Sequence, residues 1–146
     1  MMMTLPGLAK SKQVIGRVEE VSFPDLKMAF EARIDTGART CSLHVVNEKV
    51  TQEGKEKYIE FDTEDRNGKK FHIKSRVYRT ANVRSTNGEV STRYVIREKV
   101  TLGGVTRLVN ITLNDRTELR YNFLVGRNFL RGKFLVDVSL SHTRQK

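Results

Sequence analysis

Phe30-Glu31-Ala32-Arg33-Ile34-Asp35-Thr36-Gly37-Ala38 is the most informative run in the chain. A strand-like stretch ends in a carboxylate, then a hydroxyl, a glycine and a small residue follow. That order presents a carboxylate on a tight turn at the end of a buried strand. Gly37 lacks a Cβ and lets another backbone come close, and the Thr36 hydroxyl can lock the turn. Asp-Thr-Gly alone is also a common turn sequence, so its meaning depends on the rest of the chain.

A second segment answers it near the C-terminus: Phe123-Leu124-Val125-Gly126-Arg127-Asn128-Phe129-Leu130, an apolar strand, a glycine and a short amphipathic helical turn. Together the two segments resemble the retropepsin-like aspartic peptidases, where Asp-Thr-Gly-Ala is followed by an apolar-apolar-Gly-Arg-Asn/Asp-apolar-Leu segment. The wider pattern is similar to a bacterial family often labelled "ATP-dependent zinc protease". The matching residues are Asp35-Thr36-Gly37-Ala38-Arg39-Thr40, Ser42-Leu43-His44, Asn87-Gly88, Arg93-Tyr94-Val95, Leu113-Asn114-Asp115-Arg116, Gly126-Arg127 and Phe134-Leu135-Val136-Asp137. The resemblance runs from about Ile15 to Ser139.

With 146 residues the chain is long enough for one domain with a core of its own. The expected layout is a flexible N-terminal segment over 1–13, a single domain over 14–140 and a C-terminal tail over 141–146. Asp-Thr-Gly occurs once, without the duplication of two-lobed pepsins. One cysteine, Cys41, allows no intrachain disulfide and suits a reducing compartment. No apolar run approaches the roughly 18 residues of a membrane span, and Met1–Gln13 has no signal-peptide core. The expected location is therefore cytoplasmic. The chain carries 27 basic and 17 acidic residues, a net charge of +10, which draws anions toward it. Nucleic acid, acidic peptide and a merely solvated surface all fit that charge.

The pattern predicts strands at Val14–Phe23, Met28–Ile34, Ser42–Val46, Lys57–Asp62, Lys70–Tyr78, Val90–Leu102, Thr106–Leu113, Leu119–Val125 and Phe134–Asp137. Alternation is clearest in Tyr58-Ile59-Glu60-Phe61 and Phe71-His72-Ile73-Lys74. Asn67-Gly68, Asn87-Gly88 and Gly103-Gly104 mark hairpins between them. Only Arg127–Arg131 looks helical. The fold class expected is all-β, a closed retropepsin-like barrel with one short C-terminal helix. From Asp35 to Gly126 the chain is long for a minimal retropepsin, and the extra length falls between about Val46 and Thr80. The Asn87-Gly88 hairpin occupies the position of the retropepsin flap. Ser85, Thr86, Asn87 and Gly88 are thus candidate substrate-binding residues, or the tip of an ordinary exposed hairpin.

The resemblance implies aspartic-peptidase chemistry, which needs two carboxylates close enough to share a proton. One Asp35 per chain then implies a homodimer, with a two-fold axis bringing the two copies together. Asp35 would activate the water, Thr36 would hold the two loops in register, and Gly37 would leave its backbone free for substrate. Ala38 and Arg39 would line the cleft. Gly126, Arg127 and Asn128 would form the structural second loop, with Leu130 in the helix. In retroviral enzymes the position of Arg39 is an aspartate that pairs with the arginine matching Arg127. Here Arg127 must find another partner, with Asp137, Asp115 and Glu118 as candidates. Arg39 either grips a carboxylate of an acidic substrate or is a structural residue behind the loop. The family is associated with a ligase that adds glutamate to ribosomal protein, which implies polyglutamate peptide as substrate and ribosomal protein as a partner.

No zinc or nucleotide motif is present, so no metal or cofactor is expected despite the family label. Cys41 and His44 stand three apart, on opposite faces of a strand. The alternative function is a non-catalytic basic β-barrel that binds RNA, the ribosome or peptide. Its aromatics, seven Phe and four Tyr with no Trp, are spread out and form no evident stacking platform.

Overall fold

Side chains alternate along Met28–Ile34: Met28, Phe30, Ala32 and Ile34 are buried, while Arg33 faces solvent. The computed structural model of the chain describes residues 11–144, and apart from one helical turn its regular elements are strands. In chain order they are β1 (Gln13–Ile15), β2 (Val18–Phe23), β3 (Met28–Ile34), β4 (Cys41–His44), β5 (Val46–Glu53) and β6 (Glu56–Glu64). Then come β7 (Lys70–Arg76), β8 (Arg79–Arg84), β9 (Val90–Leu102), β10 (Val105–Asn114), β11 (Phe123–Val125), α1 (Arg127–Leu130) and β12 (Phe134–Val136). The expected segments at the two ends lie outside the described residues over 1–10 and 145–146. Gln13 already belongs to β1, and His142–Arg144 hydrogen-bond to Val18 and Glu19.

β3 pairs antiparallel with β2 on one side and parallel with β11 on the other. β11 also bonds β4, β4 runs parallel to β10, and β10 forms a long hairpin with β9. A single pair, Ser22↔Thr101, joins β9 back to β2, so the pairing returns on itself. β8 pairs with the first half of β9. The inward faces meet in one core, where the rings of Phe23, Phe30 and Phe123 lie edge-on or tilted at 5.1–5.9 Å. Each such buried ring contributes about 1.5–3 kcal/mol.

The additional length forms a three-stranded antiparallel sheet, β5–β6–β7, tied to the core by Ile59, Phe61 and Ile73. Gly68, Gly88 and Gly103 all take positive φ at the expected hairpins. The single strand expected over Val14–Phe23 is instead broken at Gly16. The Leu140 backbone crosses there so closely that a Cβ would lie 2.2 Å from its carbonyl oxygen. The strand expected from Leu119 begins only at Phe123.

Candidate active site

Parallel pairing of β3 with β11 places Ile34 opposite Val125. The next residues, Asp35 and Gly126, therefore leave adjacent strands at the same end. The Asp35 N–H donates to the Val125 carbonyl at 2.9 Å, and Asp35 Oδ1 accepts the Gly37 N–H at 2.9 Å. Asp35 is half-buried, whereas Thr36 and Gly37 are exposed.

The two loops are laced together by backbone. Arg127 N–H donates to the Ala38 carbonyl at 2.8 Å, and Asn128 N–H to the Arg39 carbonyl at 3.1 Å. Gly126 permits this approach: a Cβ there would lie 2.5 Å from both the carbonyl carbon and the oxygen of Thr40. Its backbone is extended, with φ −101°, so the requirement is for space and not for a special dihedral. Gly37 differs. Among the described residues a Cβ there would meet only the Asp35 Oδ1, at 3.2 Å, so no other described backbone crowds it.

Arg127 donates to the Thr36 carbonyl at 3.2 Å and pairs with none of Asp137, Asp115 or Glu118. Asp137 and Asp115 instead accept from Ser139 and Thr117 in their own turns. The Thr36 hydroxyl has no partner among the described residues of the chain. Arg39 is exposed, also without an ion pair among them. Asn128 has a role that spacing did not reveal. Its Oδ1 accepts the Cys41 N–H at 3.0 Å and its Nδ2 donates to the Asn110 carbonyl at 2.8 Å, joining α1 to β4 and β10. Arg107 donates to the Phe129 and Arg131 carbonyls and closes the end of α1.

Cys41 is fully buried, and burial pushes its thiol up to about 12. In that state it is neither nucleophile nor metal ligand. His44 lies on the other face of β4, where its Nδ1 accepts the Arg116 N–H at 2.8 Å. The ring is thus the tautomer protonated on Nε2, and the Asp115 carboxylate 3.9 Å from Nδ1 is too far to hydrogen-bond there.

Ser85, Thr86, Asn87 and Gly88 form the exposed tip of the β8–β9 hairpin. The tip closes on itself, with Ser85 N–H bonded to the Glu89 carbonyl at 2.8 Å and Gly88 N–H to the Ser85 carbonyl at 3.0 Å. Its hydrogen bonds stay within the hairpin and reach neither Asp35 nor Gly126. A cavity of about 420 Å³ borders Asp35 and Thr36, with Arg17, Arg33 and Tyr121 among its other walls. A larger cavity of about 580 Å³ lies by His44, Asp62 and His72 on the β5–β7 sheet, away from Asp35.

Residues 14–146 match the family model described as "RimB-like: Retropepsin-like aspartic endopeptidase RimB". The chain belongs to the RimB-like family. Proteins named "Probable alpha-L-glutamate ligase" are also similar to it. The one from Shewanella halifaxensis is 37% identical over 138 residues, covering 92% of this chain and 30% of the relative. The one from Parasynechococcus marenigrum is 37% identical over 135 residues, covering 90% and 29%. The chain thus spans about 30% of the length of these curated relatives. Among solved structures, a Legionella pneumophila protein described as of unknown function (DUF785) superposes with a TM-score of 0.75 at 25% identity. That match covers 91% of this chain and 98% of the other. This RimB-like chain therefore shares nearly the full extent of that structure and the retropepsin-like class of its family model. Among the described residues no helix is long and apolar enough to cross a membrane.

Proposed function

We propose that this chain is one half of a homodimeric aspartic endopeptidase acting on acidic or glutamate-rich peptides. The observation that carries the proposal is the Asp35 turn. A half-buried carboxylate is held on a backbone-laced pair of loops, with Thr36 and Gly37 exposed beside it. A single carboxylate cannot serve as acid and base together, and a second copy supplies the other. Two carboxylates brought together cannot both ionise, so the pair keeps one proton and titrates as a unit. The ionised member then draws a proton from the attacking water, and the protonated member delivers one to the leaving amine.

Thr36, whose hydroxyl has no partner among the described residues, bonds across the dimer axis in this reading. The Gly37 carbonyl, which accepts no hydrogen bond from a described residue while the Gly37 N–H is held by Asp35, is available to an extended peptide. The β8–β9 hairpin, exposed on both faces, serves as the covering flap through Ser85–Gly88. Acidic substrate is favoured by the net charge of +10, by the guanidinium of Arg39 beside the turn, which pairs with no described residue, and by relatives named for glutamate ligation.

The test compares wild type with Asp35→Asn on a peptide pool containing glutamate-tailed members, read by mass spectrometry from acidic to neutral pH. Cleavage is expected from wild type alone, with acidic residues enriched around the cut bonds. Folded wild-type protein that cuts nothing, or cutting that survives Asp35→Asn, refutes the proposal.

A further inference from the structure

The cavity beside Asp35 is unbalanced in charge. Among the described residues that line it, Asp35 is the one acidic residue, against the guanidinium groups of Arg17 and Arg33. Arg33 occupies the outward position of β3 two residues before Asp35, so strand alternation sets both on the same side of the chain. Arg17 donates to the Val138 carbonyl at 3.3 Å. The Arg33 side chain makes no hydrogen bond or ion pair with any described residue.

A third arginine stands behind this wall. Arg116 is 7% exposed, and its Nε donates to the Tyr121 carbonyl at 3.0 Å. Its terminal nitrogens make no hydrogen bond or ion pair with any described residue. Burial first, and then the charge of Arg33, push the Arg116 guanidinium below its usual value, while Asp35 acts in the opposite direction. Arg33, Arg116 and Asp35 therefore share one electrostatic neighbourhood. Three guanidinium groups around one carboxylate leave room for a second anion.

We infer that the cavity is a carboxylate subsite, in which Arg33, with Arg17 beside it and Arg116 behind Tyr121, holds an acidic side chain of the bound peptide next to the bond being cut. The inference rests on the reading of Asp35 as half of a peptidase dyad, and it assigns the acidic preference to the strand before the turn, independently of Arg39 after it. A guanidinium meets a carboxylate with two parallel N–H···O bonds, a geometry that the neutral amide of glutamine cannot match in charge. Glutamate and glutamine are nearly isosteric, so the discrimination reads charge and not size.

The experiment uses the Asp35→Asn protein, which holds peptide without turnover, and measures calorimetric binding of pentaglutamate and pentaglutamine. Pentaglutamate is expected to bind at least about tenfold tighter, as charge-assisted hydrogen bonds allow. Adding Arg33→Leu brings the two peptides within about twofold of each other, and Arg33→Lys gives an intermediate ratio. Lys55→Leu removes the same charge from the exposed β5–β6 turn and leaves the ratio as it was. Equal or absent binding of the two peptides, a preference that survives Arg33→Leu, or an equal loss with Lys55→Leu overturns the subsite. Cleavage by the protein with Asp35 intact is scored separately. Arg33-dependent binding without any cleavage sinks the peptidase reading and leaves the subsite standing. Cleavage whose glutamate preference ignores Arg33→Leu does the reverse.

Discussion

Replacing Gly126 with alanine should separate the two loops that carry the site. The added methyl would stand 2.5 Å from the carbonyl carbon and oxygen of Thr40 and 3.0 Å from the Ala38 oxygen. Ordinary contact begins near about 3.5 Å, so the Thr40 carbonyl must retreat by about 1 Å. That movement lengthens the bonds from Arg127 N–H to Ala38 and from Asn128 N–H to Arg39, now 2.8 and 3.1 Å. Overpacking of this kind costs about 1–3 kcal/mol, and each weakened backbone bond adds about 1 kcal/mol. The total, about 3–5 kcal/mol, exceeds the gain of about 0.4–1 kcal/mol from a stiffer unfolded chain. For a chain of this size, thermal melting followed by circular dichroism should fall by about 10–15 °C. Gly37→Ala is the contrast, because its methyl meets only the flexible Asp35 carboxylate at 3.2 Å. Its melting point should stay within about 3 °C of wild type, while peptide cleavage drops. A Gly126→Ala protein that melts like wild type, or a Gly37→Ala protein that loses as much stability, would refute the reasoning.

Two further outcomes follow from titratable groups. His72 bonds Glu60 at 2.9 Å and Asp62 at 2.7 Å. The hydrogen bond to Glu60, then that to Asp62, raises the imidazole above its ordinary value; His72 lowers Glu60, and Asn47 followed by His72 lowers Asp62. The raised histidine contributes its stability in full below the unfolded value of about 6.5 and loses it as pH rises through the folded one. The lowered carboxylates contribute above their unfolded values of about 4 and lose it as pH falls through the folded ones. The β6–β7 pairing is therefore best supported between those limits, and an NMR titration should place the His72 midpoint above that of a free histidine. A midpoint at or below the free value contradicts the contact. The second outcome concerns Cys41, whose buried thiol should resist iodoacetamide at about pH 8 and react once urea unfolds the chain. Rapid labelling of the folded protein would show that β4 is not closed by Asn128 and Gly126.

How much of this was legible in the sequence depends on what holds each element. β3 and β9 were found with their observed bounds because burial alternates along Met28–Ile34 and turn glycines bracket Val90–Leu102. β5 and β8 were missed. Their residues are mostly exposed on both faces, so no apolar period marks them, and only ladders to β6 and β9 make them strands. Asp35 and Gly126 could be connected through resemblance, but their adjacency follows from the Ile34↔Val125 register, a long-range fact. The partner of Arg127 was sought among carboxylates and is the Thr36 carbonyl, because the exposed turn leaves a backbone acceptor within reach. Arg33 carried a readable signal, the outward position just before the turn. Arg116 was visible only as the last residue of the Leu113–Arg116 stretch in the resemblance, and its burial and its bond to Tyr121 come from the loop between β10 and β11.

The central claim is that each active site takes one Asp35 from each of two chains, and a mixing experiment tests it most directly. Wild type and Asp35→Asn are unfolded together, refolded in varied proportions at fixed total concentration, and assayed on the peptide that wild type cleaves. If every productive site needs two copies of Asp35, activity falls with the square of the wild-type fraction, to about one quarter in an equal mixture. A fall in simple proportion, to about one half in that mixture, would mean that a single Asp35 suffices and would contradict the account.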